Sequence, residues 1–250
     1  MTVTATTDSA TERALASSAR LAQERAPELN VADLADHAGY SPFHFSRLFA
    51  RHVGIGPGQY LTALRVGRAK QLLLTETASV IDVAAEVGFD SLSSFSRRFR
   101  SAVGVPPAQL RRLADRISDK PPRPFSLLAP GAGSVRVTIE LAADFSPRGD
   151  AAVWVGWYPH PAPIGLPLSG VLVSGVQEIS LPLCAQAPFL LGFAVPAHAD
   201  PLAQLVPADP VVAVHPAPLT ASQDITLRFD VSHTEPPVPL LTALPSLCTR

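Results

Sequence analysis

Two segments of this 250-residue chain place a serine and an arginine side by side, Ser46-Arg47 and Ser96-Arg97. An arginine guanidinium can donate two hydrogen bonds to O6 and N7 of guanine in the DNA major groove, which is wide enough for an α-helix. A serine hydroxyl can make a shorter hydrogen bond to a base edge. If both pairs lie on exposed helix faces, they predict base recognition in double-stranded DNA.

Helical periodicity places Phe43 on the same face as Ser46 and Arg47, where its ring can contact a thymine methyl group. Phe45 and Phe49 fall on another face and are predicted to pack in the core. The second segment has an outward face made of Leu92, Ser93, Ser96, Arg97 and Arg100. The two faces occupy equivalent positions but present different side chains, so we expect them to read different base sequences.

Both segments belong to an internal repeat, in which residues 31–61 resemble residues 80–110. The offset is 49 residues in the first part of the repeat and 50 after one inserted residue. The matched pairs include Asp33 and Asp82, Gly39 and Gly88, Phe45 and Phe95, and Arg47 and Arg97. Each copy consists of a short helical pattern, a tight turn and a second helical pattern. The repeat therefore predicts two helix-turn-helix units.

Caps, prolines and glycines set the predicted helix bounds in the first half of the chain. Asn30, Ser41 and Asp90 are predicted N-caps, and Ser79 with Asp82 resembles a capping box. Residues 1–10 are predicted to form a flexible tail. The predicted helices cover about 11–26, 31–38, 42–53, 57–75, 79–87, 91–103 and 107–117. The sequence thus predicts an all-α domain over residues 11–117, with the long fourth helix joining the two units.

Basic charge is concentrated between Arg47 and Arg116. Residues 47–116 carry 11 Lys and Arg against 5 Asp and Glu, although the whole chain has a net charge of -1. Arg51, Arg98 and Arg100 are predicted to contact DNA phosphates, which would orient the protein without reading sequence. Their contacts would make the affinity for DNA fall as the salt concentration rises.

The second half of the chain is rich in proline, since 21 of the 26 prolines lie beyond residue 116, and long helices are therefore not expected there. Its apolar residues alternate with polar ones instead of following helical spacing. Residues 118–133 are predicted to form a proline-rich linker. Seven strands are predicted within residues 134–235, at about 135–141, 151–158, 170–173, 178–183, 189–195, 211–214 and 225–231. This number of short strands indicates an all-β sandwich domain. Residues 236–250 are predicted to form a C-terminal tail.

Composition excludes several other classes of protein. The chain has 47% hydrophobic residues and a mean hydropathy of +0.22, yet it contains no uninterrupted apolar run of 18 residues. Cys184 and Cys248 have no metal-like spacing and form no disulfide framework. We therefore expect a cytoplasmic protein with no membrane partner, no bound metal and no cofactor.

The quoted motifs resemble the DNA-binding domain of the AraC/XylS family of transcription regulators. The resemblance covers about residues 11–116. It is carried by the repeated pattern D-x-A-x-x-x-G-(Y/F) followed by a recognition helix with F-S-R-x-F, and by the closing G-V-P-P-x-x-L-R at residues 104–111. It implies two recognition helices that enter successive major-groove segments about 34 Å apart. The base-reading positions that it implies are Phe43, Ser46, Arg47, Leu92, Ser93, Ser96 and Arg97. It also implies a bacterial regulator with RNA polymerase as a partner.

The order of domains departs from the arrangement that is most common in that family, where the sensing domain comes first. The second half is weakly similar to transthyretin-like or carboxypeptidase-regulatory-like β-sandwiches. Trp154, Trp157, Tyr158, Phe189 and Phe193 could line a pocket for a small-molecule effector, or they could form an ordinary core. The β domain could therefore sense a ligand, or it could be a structural or protein-interaction module.

An enzyme is not expected from this sequence. A remote alternative is a fusion to a DNA-repair protein that accepts alkyl groups, which would need an activated thiolate. No His, Lys or Arg lies near Cys184 in the sequence, and neither cysteine lies in a Pro-Cys-His-Arg motif. No Gly-x-Ser-x-Gly motif is present, and the histidines at 160, 198, 215 and 233 are not spaced as metal ligands.

Overall fold

The computed structural model describes residues 3–114, 125–142, 151–195, 205–206, 211–231 and 240–241. An α-helical unit is followed by a β-sheet unit, so the predicted fold class is confirmed. Parts of the predicted linker and C-terminal tail lie outside the described residues. No helix in the described part of the chain is long and apolar enough to cross a membrane.

Seven α-helices form the first unit within the described residues. They are α1 (Val3–Arg25), α2 (Val31–Ala38), α3 (Pro42–Val53), α4 (Pro57–Thr75), α5 (Val80–Glu86), α6 (Leu92–Val103) and α7 (Pro107–Ala114). The bounds of α2 to α6 agree with the predicted bounds to within one residue. Residues 115–117, which were predicted to end the last helix, lie outside the described residues.

Two reciprocal capping boxes start the first helix of each repeat. The Asn30 side chain accepts hydrogen bonds from the backbone N–H groups of Ala32 and Asp33, and the Asp33 carboxylate accepts one from the backbone N–H of Asn30 at 2.7 Å. Ser79 and Asp82 make the same exchange at the start of α5. The predicted cap at Asn30 and the predicted box at Ser79 are confirmed. An N-cap of this kind stabilises a helix by about 1 kcal/mol.

The structure corrects the prediction at two helix starts. Helix α1 begins at Val3, inside the segment that was predicted to be a flexible tail, because neither glycine nor proline interrupts the chain between Val3 and Arg25. Helix α6 is capped by Ser91 and not by Asp90, since the Ser91 hydroxyl accepts from the backbone N–H of Ser94 at 3.3 Å. Ser91 is the counterpart of Ser41 in the repeat, and Ser41 caps α3 as predicted.

Each helix-turn-helix unit has its own hydrophobic core, and α4 contributes to both. Phe45 and Phe49 pack with Tyr60 of α4 in the first core. Phe95 and Phe99 occupy the equivalent positions in the second core, which also receives residues from the C-terminal half of α4. The ring centroids are 5.3 Å apart in the first phenylalanine pair and 5.5 Å apart in the second. Burial of these faces leaves the opposite faces of α3 and α6 available for binding.

Eight strands form the second unit within the described residues. They are β1 (Phe125–Leu127), β2 (Ser134–Leu141), β3 (Ala152–Tyr158), β4 (Ser169–Ser174), β5 (Glu178–Pro182), β6 (Phe189–Val195), β7 (Val211–Val214) and β8 (Gln223–Val231). The seven predicted strands are present. Strand β1 lies within the predicted linker 118–133 and was missed, because three residues are too few to show an alternating pattern. It pairs with β4.

The strands follow the order β1-β4-β3-β6-β7-β8-β2-β5, and β2 is parallel to β8 while the other pairs are antiparallel. The N-terminal part of β8 pairs with β2, and its last residues pair with β7. Inward residues of β2, β5 and β8 share one buried cluster with inward residues of β3, β6 and β7. The two halves of the sheet therefore cover a common core, as in a sandwich.

The aromatic residues of β3 are core residues. Trp154, Trp157 and Tyr158 are almost completely buried, and the two tryptophans belong to different clusters because successive residues of a strand point to opposite faces. The Trp154 ring lies against Gly156 and Gly170, where a Cβ atom would meet the indole at 2.8 Å or less. The two indole rings therefore pack in the core on opposite faces of β3.

The predicted C-terminal tail, residues 236–250, is described only at Leu240 and Leu241. Both side chains are buried, and Leu241 packs in the second helical core. Lys70 of α4 is 1% exposed and donates hydrogen bonds from Nζ to the carbonyls of Leu240 at 3.0 Å and Leu241 at 3.1 Å. These two residues are thus fixed to the helical unit and do not form a tail.

Candidate nucleic-acid interface

The outward face of α3 carries the residues that were predicted to read bases. The Phe43 side chain is 75% exposed, Arg47 is exposed and Ser46 is half-buried. The Ser46 hydroxyl donates a hydrogen bond to the carbonyl of Pro42 at 2.7 Å, one turn earlier in the helix. Its oxygen can therefore accept a hydrogen bond from a base amino group without loss of that internal bond.

The outward face of α6 has a similar arrangement with different chemistry. Leu92 is 41% exposed, Ser93 and Arg97 are exposed, and Ser96 is half-buried. Ser93 and Ser91 lie close together, with their hydroxyl oxygens 3.5 Å apart. An apolar residue at Leu92 replaces the aromatic ring that Phe43 places near the start of α3. The structure brings each predicted set onto one face of its own helix.

Five exposed arginines lie on or beside these two faces: Arg47, Arg51, Arg97, Arg98 and Arg100. Among the described residues, none of the five forms an ion pair with a carboxylate. The side chain at Arg98 replaces the half-buried Leu48 of the first unit and is exposed, as predicted. Because their charges are not neutralised by neighbours, these guanidinium groups can form charge-assisted hydrogen bonds to phosphates.

Two other arginines hold the scaffold together, and this role was not predicted from the sequence. Arg65 of α4 donates to the carbonyls of Ala26 and Leu29 at 2.8 and 2.9 Å, just after α1 ends. Arg111 of α7 donates in the same way to the carbonyls of Leu73 and Ala78 at 3.0 and 2.7 Å, near the end of α4. Each guanidinium therefore satisfies carbonyls at the start of one helix-turn-helix unit.

Burial lowers the pKa of one scaffold arginine, Arg65. Desolvation lowers the pKa of Arg65 from its ordinary value, the nearby Asp90 carboxylate opposes this effect, and the Arg98 guanidinium adds to it. An arginine has so high an ordinary pKa that Arg65 still carries its charge at neutral pH. Its guanidinium carbon also lies 6.0 Å from the centre of the Phe89 ring. Arg65 thus links α4 to both helix-turn-helix units.

The residues considered for other chemistry do not come together in the described part of the chain. No group of three or more His, Cys, Asp or Glu residues there could hold a metal ion. Cys184 is buried in the β domain. His160 is exposed, and the Nδ1 atom of His215 lies 2.7 Å from the carbonyl oxygen of Ala217. Cys248, His198 and His233 lie outside the described residues.

Comparison with known proteins identifies the helical unit. Residues 34–113 match a family model described as a helix-turn-helix domain. The transcriptional activator AarP of Providencia stuartii is 39% identical over 87 residues, which are 35% of this chain and 64% of that protein. The transcriptional regulator Rv1931c of Mycobacterium tuberculosis is 35% identical over 82 residues, which are 33% of this chain and 32% of that protein. Residues 34–113 are therefore an AraC-type helix-turn-helix domain.

Two solved structures each match part of the chain. The DNA-binding domain of the transcription factor AdpA, in complex with a target DNA, is 33% identical, covers 42% of this chain and 95% of its own, and gives a TM-score of 0.40. An AraC-type regulator from Chromobacterium violaceum is 30% identical, covers 42% and 94%, and gives a TM-score of 0.39. The chain spans 64% of the length of AarP and about one third of the length of Rv1931c.

Proposed function

We propose that this protein is a sequence-specific, DNA-binding transcription regulator. In this proposal α3 and α6 enter successive segments of the major groove. The observation that carries it is the pair of equivalent outward faces, each with an exposed arginine, within one AraC-type domain. Because Phe43 and Leu92 differ, one chain would recognise two different half-sites and would need no second copy to bind an asymmetric sequence.

The roles of the polar residues follow from their positions. Arg47 and Arg97 each donate to guanine, Ser46 and Ser96 each accept or donate one bond to a neighbouring base, and Ser93 supplies a second hydroxyl on α6. Phe43 and Leu92 contact thymine methyl groups. The phosphate contacts come from Arg51, Arg98 and Arg100, whose guanidinium groups surround the two faces.

The experiment uses a DNA site selected from a random pool by the full-length protein. Arg47→Ala and Arg97→Ala should each lose about 1–3 kcal/mol at one base position and should bind all four bases there with similar affinity. Arg100→Ala should weaken binding to all sequences evenly and reduce the slope of affinity against salt concentration by about one. Arg20→Ala, which removes an exposed arginine from α1, is the matched control and should bind like the parent protein.

Two results would decide against this assignment. Specificity that stays unchanged in both Arg47→Ala and Arg97→Ala would show that these faces do not read bases. Failure of the protein to select any sequence from the pool would reject sequence-specific binding as a whole.

For the β domain we propose a structural and interaction role, without a ligand. Trp154, Trp157 and Tyr158 fill the core around β3, and this favours packing over an effector pocket. The β domain also contacts the helical unit at several points, which gives it a direct influence on the recognition helices. Small-molecule sensing would instead require a compound that changes the DNA affinity of the full-length protein.

A further inference from the structure

The loop between β3 and β4, residues 159–168, leaves the β sandwich and lies against both helix-turn-helix units. We call these residues the bridging loop. Its sequence is PHPAPIGLPL, which is apolar apart from His160. Four prolines restrict its backbone, so the loop is semi-rigid and can hold the elements that it contacts at a fixed distance.

The first part of the bridging loop contacts the end of α3. Gly54 is the C-cap of α3 with φ of 84°, and a Cβ atom there would lie 2.9 Å from Cγ of Pro161. The next residue, Ala162, is 1% exposed and belongs to the core of the first unit together with Phe49 and Ile55. A residue of the β domain thus completes the core that supports the first recognition helix.

The second part of the bridging loop contacts the end of α6. The backbone N–H of Gly165 donates to the carbonyl of Ala102 in the last turn of α6 at 2.7 Å. Leu166 borders a groove that it shares with Arg97 and Arg100. Between these two contacts, Ile164 packs against the cores of both units. The five consecutive residues 161–165 therefore connect the C-terminal ends of the two recognition helices.

The bridging loop is also attached to the helix that joins the units. The backbone N–H of Leu241 donates to the carbonyl of Pro163 at 3.1 Å. The carbonyls of Leu240 and Leu241 accept hydrogen bonds from Lys70 of α4. These contacts connect the bridging loop to α4 and to both recognition helices. Together they resist rotation of one helix-turn-helix unit relative to the other more than α4 alone would.

The docked loop leaves the reading faces accessible. Phe43 is 75% exposed and Leu92 is 41% exposed with the loop in place, and Arg47 and Arg97 are exposed as well. The contacts with Gly54 and Ala102 lie at the C-terminal ends of α3 and α6, whereas Phe43 and Leu92 lie at their N-terminal ends. Leu166 lies nearer to the reading face of α6, because it borders a groove that Ser96 and Arg97 also line. The loop therefore contacts both recognition helices while Phe43, Arg47, Leu92 and Arg97 stay exposed.

We infer that the bridging loop determines which spacing between half-sites the protein accepts, an inference that rests on the proposed DNA binding. Two recognition helices held at a fixed distance and angle fit one spacing, and any other spacing must strain the protein or the DNA. Pro161, Ile164 and Gly165 are the positioning residues. They act through α3 and α6 and touch no base in this proposal.

The test compares spacings with the full-length protein. The site selected by the parent protein is rebuilt with one base pair added to, or removed from, the segment between its half-sites. Ile164→Ala, which removes the side chain shared by the two cores, should reduce the preference for the original spacing by about fivefold. Pro161→Ala is a milder second variant in case Ile164→Ala folds poorly. Leu168→Ala is the matched control, because Leu168 is in the same loop, is 43% exposed and belongs to neither helical core.

A distance measurement tests the bridge without DNA. Spin labels on cysteines introduced at His52 of α3 and Arg98 of α6, in a background with Cys184→Ser and Cys248→Ser, report the distance between the recognition helices. Ile164→Ala should broaden the distance distribution, and Leu168→Ala should leave it unchanged. Unchanged distances and unchanged spacing preference in Ile164→Ala and Pro161→Ala would overturn the inference.

The two measurements also separate this inference from the proposed function. The distance distribution could broaden in Ile164→Ala while the parent protein selects no DNA. That result would reject the DNA-binding proposal and the role in spacing, but the bridging loop would still hold the two recognition helices together. Selective DNA binding with no loss of spacing preference in either variant would reject the role of the loop alone.

Discussion

Replacing Lys70 by methionine tests how strongly the C-terminal segment is fixed to the helical unit. Lys70 lies on α4 with its side chain 1% exposed, and its Nζ donates to the carbonyls of Leu240 at 3.0 Å and Leu241 at 3.1 Å. Methionine has a similar length and no charge. The substitution therefore keeps most of the packing and removes the donor of both hydrogen bonds.

Two opposing effects determine how much stability Lys70→Met loses. Each buried carbonyl that loses its donor costs about 1–3 kcal/mol, and loss of the ammonium group returns part of this because no charge must then be desolvated. The segment could instead move into water, at the cost of exposing Leu240 and Leu241, which is about 1.5–3 kcal/mol for each side chain. The less costly response determines the outcome. We expect Lys70→Met to lower the free energy of unfolding by about 2–4 kcal/mol.

Urea denaturation gives the loss of stability, and amide hydrogen exchange shows where it occurs. The Leu241 N–H, which donates to the carbonyl of Pro163, should exchange faster in Lys70→Met, while amides in α2 should change little. Arg68→Met is the control on the same helix. The Arg68 side chain is 56% exposed and 3.8 Å from Glu86, so its loss should cost less than about 0.5 kcal/mol. A Lys70→Met protein at least as stable as the parent would refute the reasoning, since desolvation of the ammonium would then outweigh its two hydrogen bonds.

Two further predictions concern the helical unit. Gly39→Ala and Gly88→Ala place alanine at equivalent positions with φ of +74° and +80°. A Cβ atom at Gly88 would clash with the Pro27 carbonyl oxygen, whereas nothing lies within 4 Å of a Cβ atom at Gly39. In urea denaturation Gly39→Ala should cost about 1–2 kcal/mol and Gly88→Ala clearly more, and equal losses would contradict this account. Burial raises the pKa of Tyr60 above its ordinary value of 10.0, and the hydrogen bond from Gln23 lowers it by a smaller amount. The unfolded chain therefore loses the Tyr60 proton at a lower pH than the folded protein does. The free energy of unfolding should fall as the pH rises beyond the ordinary pKa of tyrosine, and a Tyr60→Phe protein with the same fall would disprove this cause.

The helical half of the fold was predicted closely because its signals are local. Asn30, Ser41 and Ser79 are caps, and each acts on residues within three positions of itself. The internal repeat also supplied a check on every feature, since a residue in one copy has a counterpart in the other. The predicted cap at Asp90 was wrong, because Ser91 is the counterpart of Ser41 in the repeat and caps α6.

Apart from the Ser91 cap, the contacts named above that the sequence did not reveal are long-range. Arg65 donates to carbonyls 36 and 39 positions away, and Lys70 donates to carbonyls 170 and 171 positions away. Nothing in the residues around Ile164 distinguishes a loop that docks on two helices from an ordinary surface loop. The outward faces of α3 and α6 could be predicted from spacing, whereas their contact with bases remains a prediction.

The parallel pairing of β2 with β8 has a consequence for the order in which the protein acquires its structure during synthesis. Val135 of β2 pairs with Gln223 of β8, so the sheet cannot close until the ribosome has made residues far beyond β2. The helical unit, whose contacts are mostly local, can fold while the β domain is still being made. Leu240 and Leu241 emerge later still. A newly made chain would therefore have two recognition helices before it has the means to hold them at a fixed spacing.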